Sequence, residues 1–165
     1  MTESNSDLEI LDILKRDCRT PVDTIARMVG KTPEETARSI QELQDRGVIK
    51  RYGAAIDWEQ LGIDKVVSFI DVKVQPAREV GFDAIAMRIA RYPEVRSVWL
   101  VSGGSDLRIQ VESDSLRGLG NFVAEKIATI GGVTGTTTQF IMRKYKEDHV
   151  FYAEPESDER LIVSP

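Results

Sequence analysis

The sequence predicts an α+β protein of two small domains, a helical N-terminal unit followed by a larger unit of four strands and two helices. Three observations support this. The chain of 165 residues can form two cores, a well-capped helix follows two shorter ones, and strands alternate with helices after residue 65. We place the domain boundaries at residues 1–52 for the helical domain, 53–65 for a linker strand and hinge, 66–146 for the second domain and 147–165 for an acidic tail.

The clearest predicted helix lies in the stretch KTPEETARSIQELQDRG, residues 31–47. Thr32 is a favourable N-cap, Pro33 suits the first helical position because its missing N–H costs nothing there, and Glu35 can complete a capping box. Gly47 supplies a left-handed stop. The apolar spacing predicts a buried stripe formed by Ala37, Ile40 and Leu43.

Two shorter helices precede this one. Apolar residues at helical spacing in DLEILDILKRD mark the first, and Thr20 and Gly30 are the predicted cap and stop of the second. After Gly47 the segment VIKRYGAAI has the alternation and β-branched residues of a strand. Three helices and a strand in this order predict a winged helix-turn-helix, a DNA-binding motif in which the last helix enters the major groove.

The second domain is predicted from its periodicity. VVSFIDVKVQ is a strand with Ser68, Ile70, Val72 and Val74 on one face, and FDAIAMRIA is a helix. Gly103 and Gly104 join the strands VRSVWLVS and DLRIQVES as a hairpin, and a helix over residues 116–130 and the strand VTGTTTQFIMRKY complete the order. This β-α-β-β-α-β order predicts a ferredoxin-like fold with both helices on one face of an antiparallel sheet.

The other face of this sheet would then be bare and partly apolar. Contiguous apolar patches on proteins usually mark interfaces, and two such sheets can stack face to face about a two-fold axis. We therefore expect a homodimer, with an interface that includes Val67, Phe69, Trp99 and Val101.

Composition limits the function classes. Residues 1–60 hold nine Lys and Arg against twelve Asp and Glu, so DNA binding must depend on local placement of cations rather than on a basic domain. One cysteine and one histidine provide neither an internal disulfide nor a metal site, so we expect no cofactor. The lack of an internal disulfide suits a reducing compartment, and we expect the protein to be located in the cytoplasm. No apolar run approaches the roughly 20 residues of a membrane span, so we expect no membrane partner.

The helix-turn-helix, followed by GVIKRYGAAIDWEQLG, PEVRSVWLVSGGSDLRIQV and GGVTGTTTQFIMRKYK, resembles the Lrp/AsnC family of prokaryotic transcription regulators over residues 8–146. The resemblance implies a DNA-binding regulator whose second domain, often called RAM, senses a small metabolite, usually an amino acid. It also implies dimers that assemble further, commonly into octamers. The expected partners are therefore double-stranded DNA, an amino acid effector and other copies of the chain.

The same resemblance indicates the site residues. Effector-binding candidates lie at the Gly-Gly turn and in the last strand: Val101, Ser102, Gly103, Gly104, Asp106, Thr136 and Thr138. Asp106 could pair with an ammonium group while loop N–H groups hold the carboxylate. DNA-binding candidates lie on and after the third helix: Thr32, Glu34, Glu35, Arg38, Ser39, Gln41, Arg46 and Arg51. Glu34 and Glu35 stabilise the helix through its dipole, but their negative charges are repelled by DNA phosphates.

Two other functions are compatible with the sequence. Sirohaem decarboxylases resemble the same architecture, but the resemblance implies histidines near the tetrapyrrole, and the single histidine here is His149 in the tail. A metabolite sensor with a vestigial helix-turn-helix is the other alternative. Because no nucleophile-base or paired-carboxylate pattern is visible, we predict a regulator and not an enzyme.

The tail combines an acidic segment, EPESDE, with the apolar residues Leu161, Ile162 and Val163. Aliphatic side chains in water are unfavourable, so we expect residues 161–163 to dock on a neighbouring protomer.

Overall fold

The computed structural model describes residues 5–75 and 81–153, and the chain divides into two units, residues 1–55 and 56–165. The predicted docking of residues 161–163 lies outside the described residues. Within the described ranges, no helix combines the length and the apolar character needed to cross a membrane.

The first unit contains three helices, α1 (Asn5–Arg16), α2 (Val22–Val29) and α3 (Pro33–Asp45). Its core is formed mainly by Ile10, Ile25, Ala26 and Leu43. The predicted capping box of α3 is confirmed, because Thr32 Oγ1 accepts from the Glu35 amide at 3.2 Å and Glu35 Oε2 accepts from the Thr32 amide at 2.9 Å. Gly30 and Gly47 both have a φ of 68°, as a left-handed stop requires.

Two local predictions in this unit are wrong. Thr20 does not cap α2, because its hydroxyl donates to the Asp17 carbonyl at 2.9 Å and Pro21 occupies the N-cap position. Ala37 is exposed, whereas Thr36 is fully buried. The buried stripe of α3 therefore uses positions 36, 40 and 43 and lies closer to the helix start than the apolar pattern suggested.

The predicted strand after α3 is also absent from the described structure. The amides of Val48 and Ile49 donate to the Leu43 carbonyl at 2.9 and 3.2 Å, which closes the helix end, and residues 50–57 have no regular structure. The linker at 53–65 contains a 3₁₀ turn, Glu59–Leu61, and no strand. A β-prone sequence becomes a strand only when another strand satisfies its backbone groups. The described residues of this unit contain no other strand.

The second unit has the predicted β-α-β-β-α-β order. Its four-stranded antiparallel sheet has the strand order β2-β3-β1-β4, which is that of the ferredoxin-like fold. The elements are β1 (Val66–Val74), α4 (Phe82–Ile89), β2 (Val95–Leu100), β3 (Leu107–Ser113), α5 (Leu116–Asn121) with a π-helical continuation (Phe122–Ile127), and β4 (Val133–Phe140).

The core of this unit lies between the sheet and its helices. Every second residue of β1 and β3 faces it, and the predicted inward positions of β1 are confirmed. The strands contribute Ile70, Val72, Val74, Leu107, Ile109 and Val111, and the helical layer contributes Ile85, Ile89, Leu119, Phe122, Ile127 and Ile130.

The helix predicted over residues 116–130 changes its winding halfway. The Ala128 amide donates to the Val123 carbonyl, five residues earlier, at 2.8 Å. Phe122 and Ile127 are both buried although they are five positions apart, a separation that an α-helix would turn to different faces. The wider π turn returns Ile127 to the core, which explains why a plain helical repeat did not predict this pattern.

A short hairpin follows the sheet and was not predicted. It consists of β5 (Lys146–Glu147) and β6 (Val150–Phe151), and its two turn residues, Asp148 and His149, have φ values of 46° and 68°. His149 is therefore a turn residue rather than part of an extended tail.

Candidate functional site

The outward face of α3 is defined by its buried stripe. Since positions 36, 40 and 43 face the core, the opposite side of the helix holds four exposed residues, Glu34, Arg38, Gln41 and Asp45. In a helix-turn-helix this is the side that can face a DNA groove. Three of the predicted DNA contacts, Glu34, Arg38 and Gln41, lie on it.

The remaining predicted DNA contacts have other positions. Ser39 is half-buried and accepts a hydrogen bond from Lys31 Nζ at 3.2 Å, and the same ammonium lies 3.7 Å from the Asp7 carboxylate. Lys31, in the turn between α2 and α3, thus links Ser39 of α3 to Asp7 of α1. Arg46 and Arg51 are exposed at the far end of α3 and in the segment after it.

Glu35 is part of the capping box at the start of α3. Hydrogen bonds from the Thr32 backbone amide and hydroxyl lower the pKa of the Glu35 carboxyl, and Lys31 and Arg38 lower it further. The Glu35 carboxylate therefore points back to the N-cap, so it and Thr32 stabilise the start of α3.

A cleft of about 750 Å³ opens in the second unit, beside the loop that joins β2 to β3. Charged and hydroxyl side chains dominate its wall, which is lined by Asp71, Lys73, Val101, Ser102, Gly104, Ser105, Arg108, Gly135, Thr136 and Thr137.

An ion pair with two hydrogen bonds is part of this wall. Arg108 Nε and one terminal nitrogen donate to the two carboxylate oxygens of Asp71 at 2.7 and 2.8 Å. Hydrogen bonding by Arg108, followed by its charge and a hydrogen bond from Ser105, lowers the pKa of Asp71 despite partial burial. The Arg108 guanidinium also lies 5.9 Å from the centre of the Phe69 ring.

The structure brings only part of the predicted effector set to the cleft. Val101, Ser102, Gly104 and Thr136 line it, whereas Gly103, Asp106 and Thr138 do not. Thr136 and Thr138 pair with the buried Val72 and Ile70 across the ladder, which assigns both side chains to the helix-covered face of the sheet, so Thr136 borders the cleft without directing its side chain into it.

Asp106 has a structural role. Its Oδ2 accepts from the Val74 amide at 2.8 Å, and its own amide donates to the Val72 carbonyl at 3.1 Å. These bonds fasten the β2–β3 turn to the end of β1.

Sequence reasoning missed the charged cleft residues Asp71, Lys73 and Arg108. The signal was present in the alternation of β1, where Asp71 and Lys73 are charged positions on the face opposite the core.

The open sheet face adjoins the cleft. Phe69 and Trp99 lie there with ring centres 6.4 Å apart, and 44% of the Trp99 surface is exposed. Val67 and Val101 are half-buried, and strand alternation places Val67 on this face with Phe69 and Val101 with Trp99. The four residues predicted for the dimer interface thus share one face.

Comparison with known proteins assigns both units. An AsnC-type helix-turn-helix domain matches residues 5–44, and an Lrp/AsnC ligand binding domain matches residues 67–151. The chain belongs to the Lrp/AsnC family. The HTH-type transcriptional regulator YugG of Bacillus subtilis (strain 168) is 41% identical over 166 residues, which span all of both chains. The leucine-responsive regulatory protein of Rhizobium meliloti (strain 1021) is 31% identical over 141 residues, 86% of this chain and 90% of the relative.

Solved structures agree with this fold. The transcriptional regulator NMB0573 from Neisseria meningitidis, in complex with L-Met, is 22% identical with a TM-score of 0.73 over 93% of this chain and 97% of its own. E. coli AsnC is 23% identical with a TM-score of 0.71 over 89% and 97%. This member of the Lrp/AsnC family is a DNA-binding transcriptional regulator with a ligand-binding domain, and not an enzyme.

Proposed function

We propose that this regulator binds double-stranded DNA as a dimer, through two copies of α3, and that an amino acid in the cleft changes this binding. The observation that supports the amino acid is the Asp71–Arg108 ion pair at the wall of a cleft of about 750 Å³. Ligand pockets of this volume accept small metabolites. The L-Met complex of NMB0573 shows one amino acid on a related fold.

The lining groups match the head group of an α-amino acid. A carboxylate of the ligand is attracted to Arg108 and Lys73, and its ammonium is attracted to Asp71. Hydroxyl groups of Ser102 and Thr137 can complete the hydrogen bonds. Of the predicted effector residues, Val101, Ser102, Gly104 and Thr136 then shape the cleft, whereas Asp106 supports it through β1.

The proposed dimer joins the open sheet faces of two copies. Burying Val67, Phe69, Trp99 and Val101 against their counterparts removes exposed apolar surface, and a two-fold axis presents two α3 helices to DNA. Two helices in successive major grooves read half-sites about 34 Å apart, which gives a pseudo-palindromic site. Dimers of this kind can assemble further into octamers.

A thermal-shift screen of the twenty amino acids tests the effector. A ligand at about 100 times its dissociation constant should add roughly 2.7 kcal/mol to the unfolding free energy. Asp71→Asn should abolish this shift, whereas Asp106→Asn should keep it, because an amide oxygen still accepts from the Val74 amide. Unmoved melting curves with all twenty would exclude an amino acid effector.

Footprinting on the protein's own upstream region at low salt tests the DNA site. We expect two protected half-sites one helical turn apart, weaker protection with Arg38→Ala, and a change when the effector is added. A wild-type chain that protects nothing would contradict DNA binding and favour a sensor with a vestigial helix-turn-helix.

A further inference from the structure

The outward face of α3 carries one acidic and one basic side chain, Glu34 and Arg38, in its N-terminal half. Gln41 Nε2 donates to Asp45 Oδ1 at 2.8 Å, so these two side chains hold each other in place. By contrast, the side chains of Glu34 and Arg38 form no hydrogen bond and no close ion pair with another residue in the described part of the chain, although the charge of Arg38 lowers the pKa of Glu35. Both side chains are exposed in the N-terminal half of α3, the part of a reading helix that approaches base edges.

Glu34 presents an electrostatic problem at this position. An ionised carboxylate only accepts hydrogen bonds, and it is repelled by the phosphates that line the groove. Glu35 avoids this by turning back to Thr32, but Glu34 has no such partner among the described residues. A favourable contact therefore requires a base edge that donates, and only the amino groups of cytosine and adenine do so in the major groove.

Cytosine fits this carboxylate better than adenine. The amino group of adenine lies between two acceptors that repel a carboxylate, its own N7 and thymine O4, whereas the cytosine amino group has an acceptor on one side only, the O6 of its paired guanine. Guanine and thymine present acceptors at this edge and are disfavoured. Arg38 has the opposite chemistry, since its guanidinium only donates and matches guanine O6 and N7.

We propose that Glu34 is a specificity-determining residue that selects cytosine in each half-site, with Arg38 selecting a nearby guanine. The two residues are one helical turn, about 6 Å, apart, so the two bases lie within about two base-pair steps. This inference rests on the proposed binding of DNA by α3. It assigns to the acidic residue a role in base selection rather than in overall affinity.

Selection from a random duplex library tests this with the full chain, with and without an amino acid mixture. The wild type should enrich half-sites with a cytosine within two steps of a guanine. Glu34→Gln should shift the cytosine to adenine, because an amide pairs with adenine N6 and N7. On a fixed site, cytosine-to-thymine replacement should weaken wild-type binding at least about fivefold and Glu34→Ala binding less than about twofold.

Glu42→Gln is the matched control, because it removes the same charge from an exposed position on the flank of the same helix. It should keep the wild-type preference. The capping box does not include Glu34, so circular dichroism should show both Glu34 variants folded. An unchanged preference in Glu34→Gln, or the same shift in Glu42→Gln, overturns the inference alone. A wild type that enriches no sequence overturns the proposed DNA binding and this inference with it.

Discussion

Arg108 connects the cleft beside the β2–β3 loop to the open sheet face. Its guanidinium pairs with Asp71 on the cleft wall and lies over the ring of Phe69, which in turn contacts Trp99. A ligand carboxylate that competes for this guanidinium would weaken its pairing with Asp71 and disturb the ring beside it. The proposed effector site and the proposed dimer face therefore share one side chain, a physical route by which a ligand can alter assembly.

The ion pair predicts a specific pH dependence. Because Arg108 lowers the pKa of Asp71 in the folded chain, the folded state binds fewer protons there than the unfolded state. The resulting stability is present above the unfolded pKa of about 4 and is lost as the pH falls through the lower folded value. Melting temperatures of Asp71→Asn should therefore fall less steeply than those of the wild type below about pH 4.

Calorimetry between pH 2 and 7 measures this difference. Glu125→Gln is the control, because this exposed carboxylate has no ion pair within the described ranges, and its profile should follow the wild type. Some slope will remain in Asp71→Asn, since hydrogen bonding by Lys126 also lowers the pKa of Glu94. Identical acid profiles for Asp71→Asn and the wild type would show that the ion pair does not contribute.

At the scale of single elements, the caps of two helices allow a matched comparison. Thr32→Ala removes the side-chain acceptor of the Glu35 amide and should destabilise α3 by roughly 1 kcal/mol. Thr20→Ala should cost less, because the Thr20 hydroxyl does not cap α2. Amide hydrogen exchange across α2 and α3 is the readout. Equal effects of the two substitutions would contradict the assigned caps.

Elements that depend on local contacts and alternation were predictable from sequence, and those that depend on distant partners were not. The alternation in β1 and β3 correctly identified the buried face, and the Thr32–Glu35 spacing identified the start of α3. The strand predicted after Gly47 failed because pairing, not propensity, decides whether a strand forms. For the candidate site, the sequence predicted the loop at 101–104, part of which lines the cleft. It also predicted that the Asp106 carboxylate binds the effector, because only the fold shows that this carboxylate accepts a hydrogen bond from the Val74 amide.

At the scale of the whole molecule, the bare sheet face is the proposed contact between two copies of the chain. Trp99→Asp should convert the assembly to smaller species, because a buried interface aromatic typically contributes at least about 2 kcal/mol, a roughly thirtyfold loss in association. Light scattering at several concentrations measures this. Met87→Asp, at a 61% exposed position on α4, should leave the mass unchanged. An unchanged mass for Trp99→Asp would exclude this face as the interface.

The π turn at residues 122–127 has a consequence for sequence length. In an α-helix, two buried residues four positions apart lie on the same side. Phe122 and Ile127 are five positions apart, so the π turn contains one residue more than an α-helix would need to bury both. Removing one exposed residue there, such as Ala124, would shorten that interval to four and let α5 continue as a regular helix into Ile130. This helix is therefore a place where the chain can lose a single residue by deletion without moving a core side chain to the solvent.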